Sequence, residues 1–223
     1  MLGQYAEAWR AGVHGLSVGD FGAAAHSAER AHELARETGL PGVLMEAQWL
    51  VGDVVLARES RSDPQTLARV RVLLEEAAQI AQRLLTRGQI PEVSARAARI
   101  CVRLQDFPSA RRHIADADRA ILDGDLSAAC VIAIAKVELA SADGDLETAE
   151  HTFAQAAALL EGSGWDWDLT LLRIAIGQVL MDWGRAEDAG PLLALAREFF
   201  SDPLAEGWRR RIDAVLAGSV SAT

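Results

Sequence analysis

Arg99 and Arg103 stand four residues apart, a spacing that puts both guanidinium groups on one face of a helix. Guanidinium forks match the oxygen pairs of carboxylates and phosphates, so the pair can clamp an oxyanion. It can equally close structural ion pairs with Asp53 or Glu138 on adjacent helices. The other chemically capable residues are scattered. The five histidines, His14, His26, His32, His113 and His151, include no i, i+4 pair with a carboxylate in register, and no metal site is expected. Cys101 and Cys130 make no metal or redox spacing. On parallel helices their sulfurs would stand roughly 15 Å apart along the axis, too far for a disulfide, so both are expected to be inert core thiols. "LDGDLSA" and "ADGDLETAE" lack the third ligand and the glycine of an EF-hand loop and read as helix-capping turns. There is no phosphate-cradling loop, dinucleotide fingerprint or nucleophile elbow. The expected chemistry is binding without catalysis and without a cofactor.

The bulk properties narrow the partners. Half of the 223 residues are apolar and 24% are charged, the composition of a folded chain. The net charge is −10, and every basic residue except Lys136 is arginine. An acidic surface repels phosphate backbones, so no direct nucleic-acid partner is expected. The basic cluster Arg209-Arg210-Arg211 beside Trp208 reads as a solvated helix face. No signal-peptide pattern opens the sequence. The longest apolar run, Ala128 to Ala135, is too short to span a membrane. The expectation is a cytoplasmic protein with reduced thiols and no membrane partner.

The elements that must position these side chains repeat along the chain. "SVGDFGAAAHSAERA", "RLQDFPSARRHIADA", "SADGDLETAEHTFAQAAALL" and "DWGRAEDAGPLLALA" share a polar turn followed by small and large apolar residues. Asp106 to Asp145 is 39 residues, Asp145 to Arg185 is 40, and Asp20 to Asp106 is 86, which leaves room for one copy between them. Such a period marks an array whose units cannot bury their own faces alone. After each turn an apolar stripe follows in steps of three and four: Phe107, Ala110, Ile114, Ala117, Ile121, then Leu146, Ala149, Phe153, Ala156, Leu160, then Ala186, Ala189, Leu193, Ala196, Phe200. Each stripe is one helical face. The helix before each turn, best seen in "ACVIAIAKVELAS", is apolar on several sides and is expected to be sandwiched between neighbours. Gly19-Asp20, Gly144-Asp145 and Gly184 suit the turn and the cap of the next helix.

A second unit is expected to start with a helix near Val43–Glu59. The polar linker "RESRSDPQ" follows, and then a helix from Asp63-Pro64 to about Leu85 with a Leu74, Ala78, Ala81 stripe. Asp202-Pro203 repeats that start signal for a final helix, Leu204 to Ala217. Its face Leu204, Trp208, Ile212, Val215 would cover the last unit while Arg209, Arg210 and Asp213 meet water. One of Trp165 and Trp167 is expected to pack between the fourth and fifth units, and Trp183 is expected to pack inside. The result is an all-α chain of about five helical hairpins, at 4–38, 42–87, 91–122, 126–161 and 165–200, with a capping helix at 203–217, forming one open curved ribbon. HEAT-like repeats or an irregular helical bundle share this periodicity.

These residues resemble the tetratricopeptide repeat family. Gly12, Gly52, Ala98 and Gly177 match its small first-helix site, where Val137 departs, and Gly19-Asp20-Phe21, Gln105-Asp106-Phe107 and Gly144-Asp145-Leu146 match its turn. The family's closing proline is missing, and the period exceeds the usual 34. The long alanine-rich units are similar to the sensor regions of large bacterial transcription activators of the LuxR/MalT type. The resemblance implies a right-handed superhelical solenoid whose first helices line a concave groove. Carried over, that groove presents Trp9 and Val13, then Glu46, Trp49 and Asp53, then Arg99 and Arg103. The fourth and fifth units add Ile134 and Glu138, then Gln178 and Asp182. It would take a protein or peptide segment, or a small effector. The implied role is the sensor or interaction domain of a bacterial regulator, whether as part of a longer chain or as a free-standing adaptor. The alternative is a self-associating adaptor: an uncapped first unit with Leu2, Tyr5 and Ala6 would let terminal faces stack into a homodimer.

Overall fold

The computed structural model describes residues 1–58, 63–86 and 88–218. Part of the polar linker, the predicted boundary at 87 and most of the C-terminal tail lie outside the described residues. Among those described, the chain is all-helical, with no strand. The first hairpins are α1 (Leu2–Val18) with α2 (Phe21–Thr38), and α3 (Pro41–Ala57) with α4 (Pro64–Leu84). Then follow α5 (Ile90–Arg103) with α6 (Phe107–Ala120), α7 (Leu126–Ala142) with α8 (Leu146–Leu160), and α9 (Asp166–Asp182) with α10 (Ala186–Phe199). A short 3-10 turn, Pro203–Ala205, leads into α11 (Glu206–Leu216).

The turn chemistry sets these boundaries. Asp20, Asp63, Asp106, Asp125 and Asp145 each accept the backbone N–H three residues on, which satisfies one orphan donor of the helix each opens. Gly19, Gly144 and Gly184 take φ of 75°, 81° and 73° just before a helix, and Gln105 takes 59° at the equivalent place.

Packing explains the small residues. A Cβ on Gly12 would stand 2.8 Å from Leu50 Cδ2, and one on Gly52 2.8 Å from Leu74 Cδ2. One on Gly177 would stand 2.7 Å from two atoms of Leu193. Each first-helix glycine is thus the hole for a leucine of a neighbouring helix, which is why a small residue recurs there.

Each helix packs on the next, and α1, α3, α5, α7 and α9 also pack on one another in series. Cross-contacts fix their direction: Asp53 with Arg96, Arg99 with Glu138, the Cys130 thiol with the Asp168 carbonyl, and the Trp183 indole with Ser141. Partners advance together along the chain, so these inner helices run parallel.

The chain does not stay open. α11 packs on α9 and on α1. Trp208 donates its indole N–H to the Leu16 carbonyl at 2.7 Å. The Trp208 ring sits edge-on to Phe21 at 5.0 Å and to Trp167 at 5.8 Å, and is stacked on Phe200 at 5.1 Å. The first and last hairpins therefore share one aromatic cluster, and the expected open ribbon is closed by its own cap. Other expectations change with it. Leu204 is 71% exposed, because the 3-10 turn rotates it off the α11 face. Trp183 is 41% exposed, held at the surface by its bond to Ser141. Trp167 turns to Phe199, Phe200 and Trp208, against a core cluster that also holds Val137 and Ala140 of the fourth unit, while Trp165 is 42% exposed. The basic cluster is not a uniformly solvated face. Arg209 donates to the Phe200, Ser201 and Asp202 carbonyls at the end of α10, and Arg211 turns inward to α3. No helix among the described residues is long and apolar enough to cross a membrane.

Candidate functional site

The parallel inner helices and α11 surround a central cavity of about 480 Å³. Its apolar wall includes Leu16 from α1, Leu56 from α3, Val131 and Ile134 from α7, Leu171 from α9 and Trp208 from α11. Its charged wall has four arginines, Arg96, Arg99, Arg103 and Arg211, and four carboxylates, Asp53, Glu138, Asp168 and Asp182.

Of the residues that the repeat pattern nominates, Asp53, Arg99, Arg103, Ile134, Glu138, Gln178 and Asp182 line this cavity together. Trp9, Val13, Glu46 and Trp49 are not part of its wall. Trp9 is half-buried against the core of the first two hairpins, and Val13 is exposed. Glu46 accepts the Tyr5 hydroxyl at 3.2 Å, and burial is the main cause that pushes the Tyr5 phenol upward. Trp49 lies under the Arg96 guanidinium at 4.5 Å. Trp9, Glu46 and Trp49 thus serve packing where the repeat pattern assigned them to a groove, and Val13 faces solvent.

The arginine pair divides its work. Arg99 binds Glu138 bidentately, at 2.7 to 3.1 Å, so of the two readings of this residue the ion pair is the observed one. Burial works to raise Glu138, but Arg99, then Arg103 and Arg211, outweigh it and hold the carboxyl below its ordinary range. Arg103 makes no ion pair among the described residues. It donates to the carbonyls of Val55 at 3.1 Å and Leu56 at 3.0 Å, while Arg211 donates to that of Ala57. These are the last carbonyls of α3, which ends without a left-handed cap: Arg58 is extended, and its N–H returns to Val54. Three main-chain acceptors at a helix C-terminus are satisfied by two cations, which the helix dipole favours. Burial lowers the Arg103 guanidinium to about 10, still charged at neutral pH.

Toward the N-terminal ends of α5 and α9 the polarity reverses. Arg96 binds Asp53 at 2.5 Å and Glu92 at 3.2 Å. Asp168 has no cation within ion-pair distance among the described residues. Burial, then the charge of Glu92, raise its carboxyl to about 6 against the opposing pull of Arg96. Burial likewise raises Glu92 despite Arg96 beside it.

Arg96, Asp168, Trp208 and Arg211 were missed as site residues, though part of the signal was in the sequence. Stepping back from Gln178 and Asp182 by three and four gives Ala175, Leu171 and Asp168, the face that α9 turns to the cavity. Arg96 lies on the Arg99 and Arg103 face one turn earlier. Trp208 and Arg211 carried no such signal, because α11 belongs to no repeat. The two cysteines are free and buried, and burial raises both thiols, Cys101 to about 11, as expected of inert core groups.

No protein-family model matches the chain, and no curated protein matches it.

Proposed function

We propose that this chain is a non-catalytic binding module, a tetratricopeptide-like array of right-handed superhelical hairpins whose central chamber takes a small amphipathic effector. The observation that carries the reading is the chamber itself. About 480 Å³ is the scale of a small-molecule pocket, here with both an apolar and a charged wall. The glycine-into-leucine packing, the Asp-capped turns and the parallel inner helices support the repeat assignment. Catalysis finds little support in the wall. Ser141 is its one hydroxyl among the described residues, and that oxygen accepts the Trp183 indole. The role that fits is the sensor of a bacterial transcription regulator. Residues of α1, α3 and α11 join those of α5, α7 and α9 in the wall, so a bound effector favours the closed arrangement over one with α11 detached. A signal can pass only through such differential contact. An extended protein or peptide partner is the weaker version, since α11 closes the hollow that a groove would need. Stacking of terminal faces into a homodimer is weaker too, because Tyr5 is buried and α11 packs on α1.

The test is a thermal-shift and ligand-observed NMR screen of small amphipathic compounds, repeated on an Ala175→Phe variant. Ala175 lines the chamber, and a benzyl group there takes up part of its volume. Compounds that raise the wild-type midpoint and lose their effect in a folded Ala175→Phe protein support the reading. Equal binding to both proteins, or no binder at millimolar concentration, overturns it.

A further inference from the structure

The charges in the chamber wall do not cancel in place. Arg96 is matched by Asp53, and Arg99 by Glu138. Arg211 and Asp182 are both already partnered. What remains is one cation and one anion, Arg103 and Asp168. Arg103 donates to two main-chain carbonyls, which use two of its five N–H donors, and Glu138, whose charge acts on it, is already held bidentately by Arg99. Asp168 has its own backbone carbonyl engaged by the Cys130 thiol at 3.2 Å, but its carboxylate meets no cation at ion-pair distance among the described residues. The two cannot neutralise each other. Asp168 lies near the start of α9, beside Cys130 near the start of α7, whereas Arg103 ends α5, and these helices run parallel. The wall also holds Ile134, Leu171 and Ala175, beside the Arg99–Glu138 pair.

A semi-buried charge without an ion-pair partner is unfavourable, and here two of opposite sign line one cavity. We infer that the effector is bipolar: a molecule of no net charge, with a carboxylate that seats on Arg103, an ammonium that seats on Asp168, and a spacer that joins them. A straight ω-amino carboxylate and a short peptide spanning the same length share this chemistry. A fatty acid has the spacer and the carboxylate but leaves Asp168 without a partner. An alkyl amine fails at Arg103. This inference rests on the proposal that the chamber binds a small effector, and specifies which class.

Isothermal titration of the full chain separates the possibilities. The probes are a series of straight-chain ω-amino carboxylates of increasing length, the aliphatic carboxylate and amine of each length, and triglycine as the peptide arm. The expected result is an optimum in length for the amino carboxylates, at least tenfold tighter there than either single-ended analogue. Triglycine at comparable affinity assigns the natural source to peptides, and its failure assigns it to amino carboxylates; either leaves the bipolar class standing. Asp168→Asn should reduce the amino carboxylate to the affinity of the plain carboxylate, and Arg103→Gln to that of the amine. Arg103→Gln also uncaps α3, so Asp168→Asn is the decisive variant if the former does not fold. Plain carboxylates binding as tightly as amino carboxylates overturn the bipolar class while the effector chamber stands. If none of these probes binds while the screen above yields another compound, the bipolar class is again overturned alone. If nothing binds in either experiment, both readings fall.

Discussion

Asp168 lets one residue be weighed by pH. Its carboxyl titrates at about 6 in the folded chain, against an ordinary 3.8. Between those values the folded state holds a proton that the unfolded state has lost. Stability from this group therefore falls as pH rises through that window and stays low above it. Asp168→Asn removes the burial penalty without changing shape. In melts of the effector-free protein, the variant should be the more stable at neutral pH, and its advantage should vanish near pH 4. The capping carboxylates Asp63, Asp106 and Asp145, depressed by their hydrogen bonds to the helix starts, act in the opposite sense but are common to both proteins and cancel in the difference. Equal melting offsets at acid and neutral pH would show that Asp168 bears no such penalty. At this scale the sequence was legible where side chain meets side chain: Arg99 and Glu138 sit 39 residues apart, one repeat of the array. It placed Arg103 in the wall but not with its partners, because that guanidinium answers main-chain carbonyls whose position depends on where α3 ends.

Two helix contacts can be tested against the packing rules. Gln105 holds the left-handed turn that glycine fills at 19, 144 and 184, with φ of 59°. A side chain in that region is strained, so Gln105→Gly should stabilise the chain by about 1 kcal/mol in chemical denaturation. No gain would mean that the Gln105 side chain offsets its backbone strain. Gly177 is the reverse case. Its added Cβ would meet both Leu193 Cγ and Cδ2 at 2.7 Å, and the branching carbon cannot swing away as a chain end can. Gly177→Ala should therefore destabilise by about 1–3 kcal/mol despite the better helix propensity of alanine; a neutral result would refute the α9–α10 close approach. Helices were the most legible level, since an aspartate three residues before a free N–H is an explicit start signal and the apolar steps give the face. The exceptions have local causes. Asp202-Pro203 opens a 3-10 turn before α11 begins, a distinction that the same two residue types at Asp63-Pro64 do not carry. Trp183 follows the last residue of α9 and meets Ser141 at the surface, so its indole never enters the core that its size suggested.

Closure of the array is a property of the whole molecule, and periodicity could not reveal it. A repeat pattern states that each hairpin packs on its neighbours; nothing in it says that hairpin one meets the cap. The seam joins residues nearly two hundred positions apart, Leu16 and Trp208, and its tightest point is where two glycines cross. A Cβ on Gly207 would fall on the Gly19 carbonyl oxygen, and one on Gly19 would stand 2.6 Å from the Trp208 nitrogen. Backbone against backbone leaves no flexible side chain to yield. Gly207 lies in α11, where alanine is intrinsically preferred, so any loss in Gly207→Ala must come from the seam. The variant should keep its helix content, show a larger radius of gyration by X-ray scattering, and exchange α1 amides faster than those of α7. It should also lose effector binding, because Leu16, Trp208 and Arg211 leave the chamber wall together. Gly190→Ala is the control, since nothing stands within 4 Å of its added Cβ. If Gly207→Ala instead behaves like that control, unchanged in dimensions and in α1 exchange, the ends of the array do not meet in solution, and the chamber is an open groove whose partners need not be small.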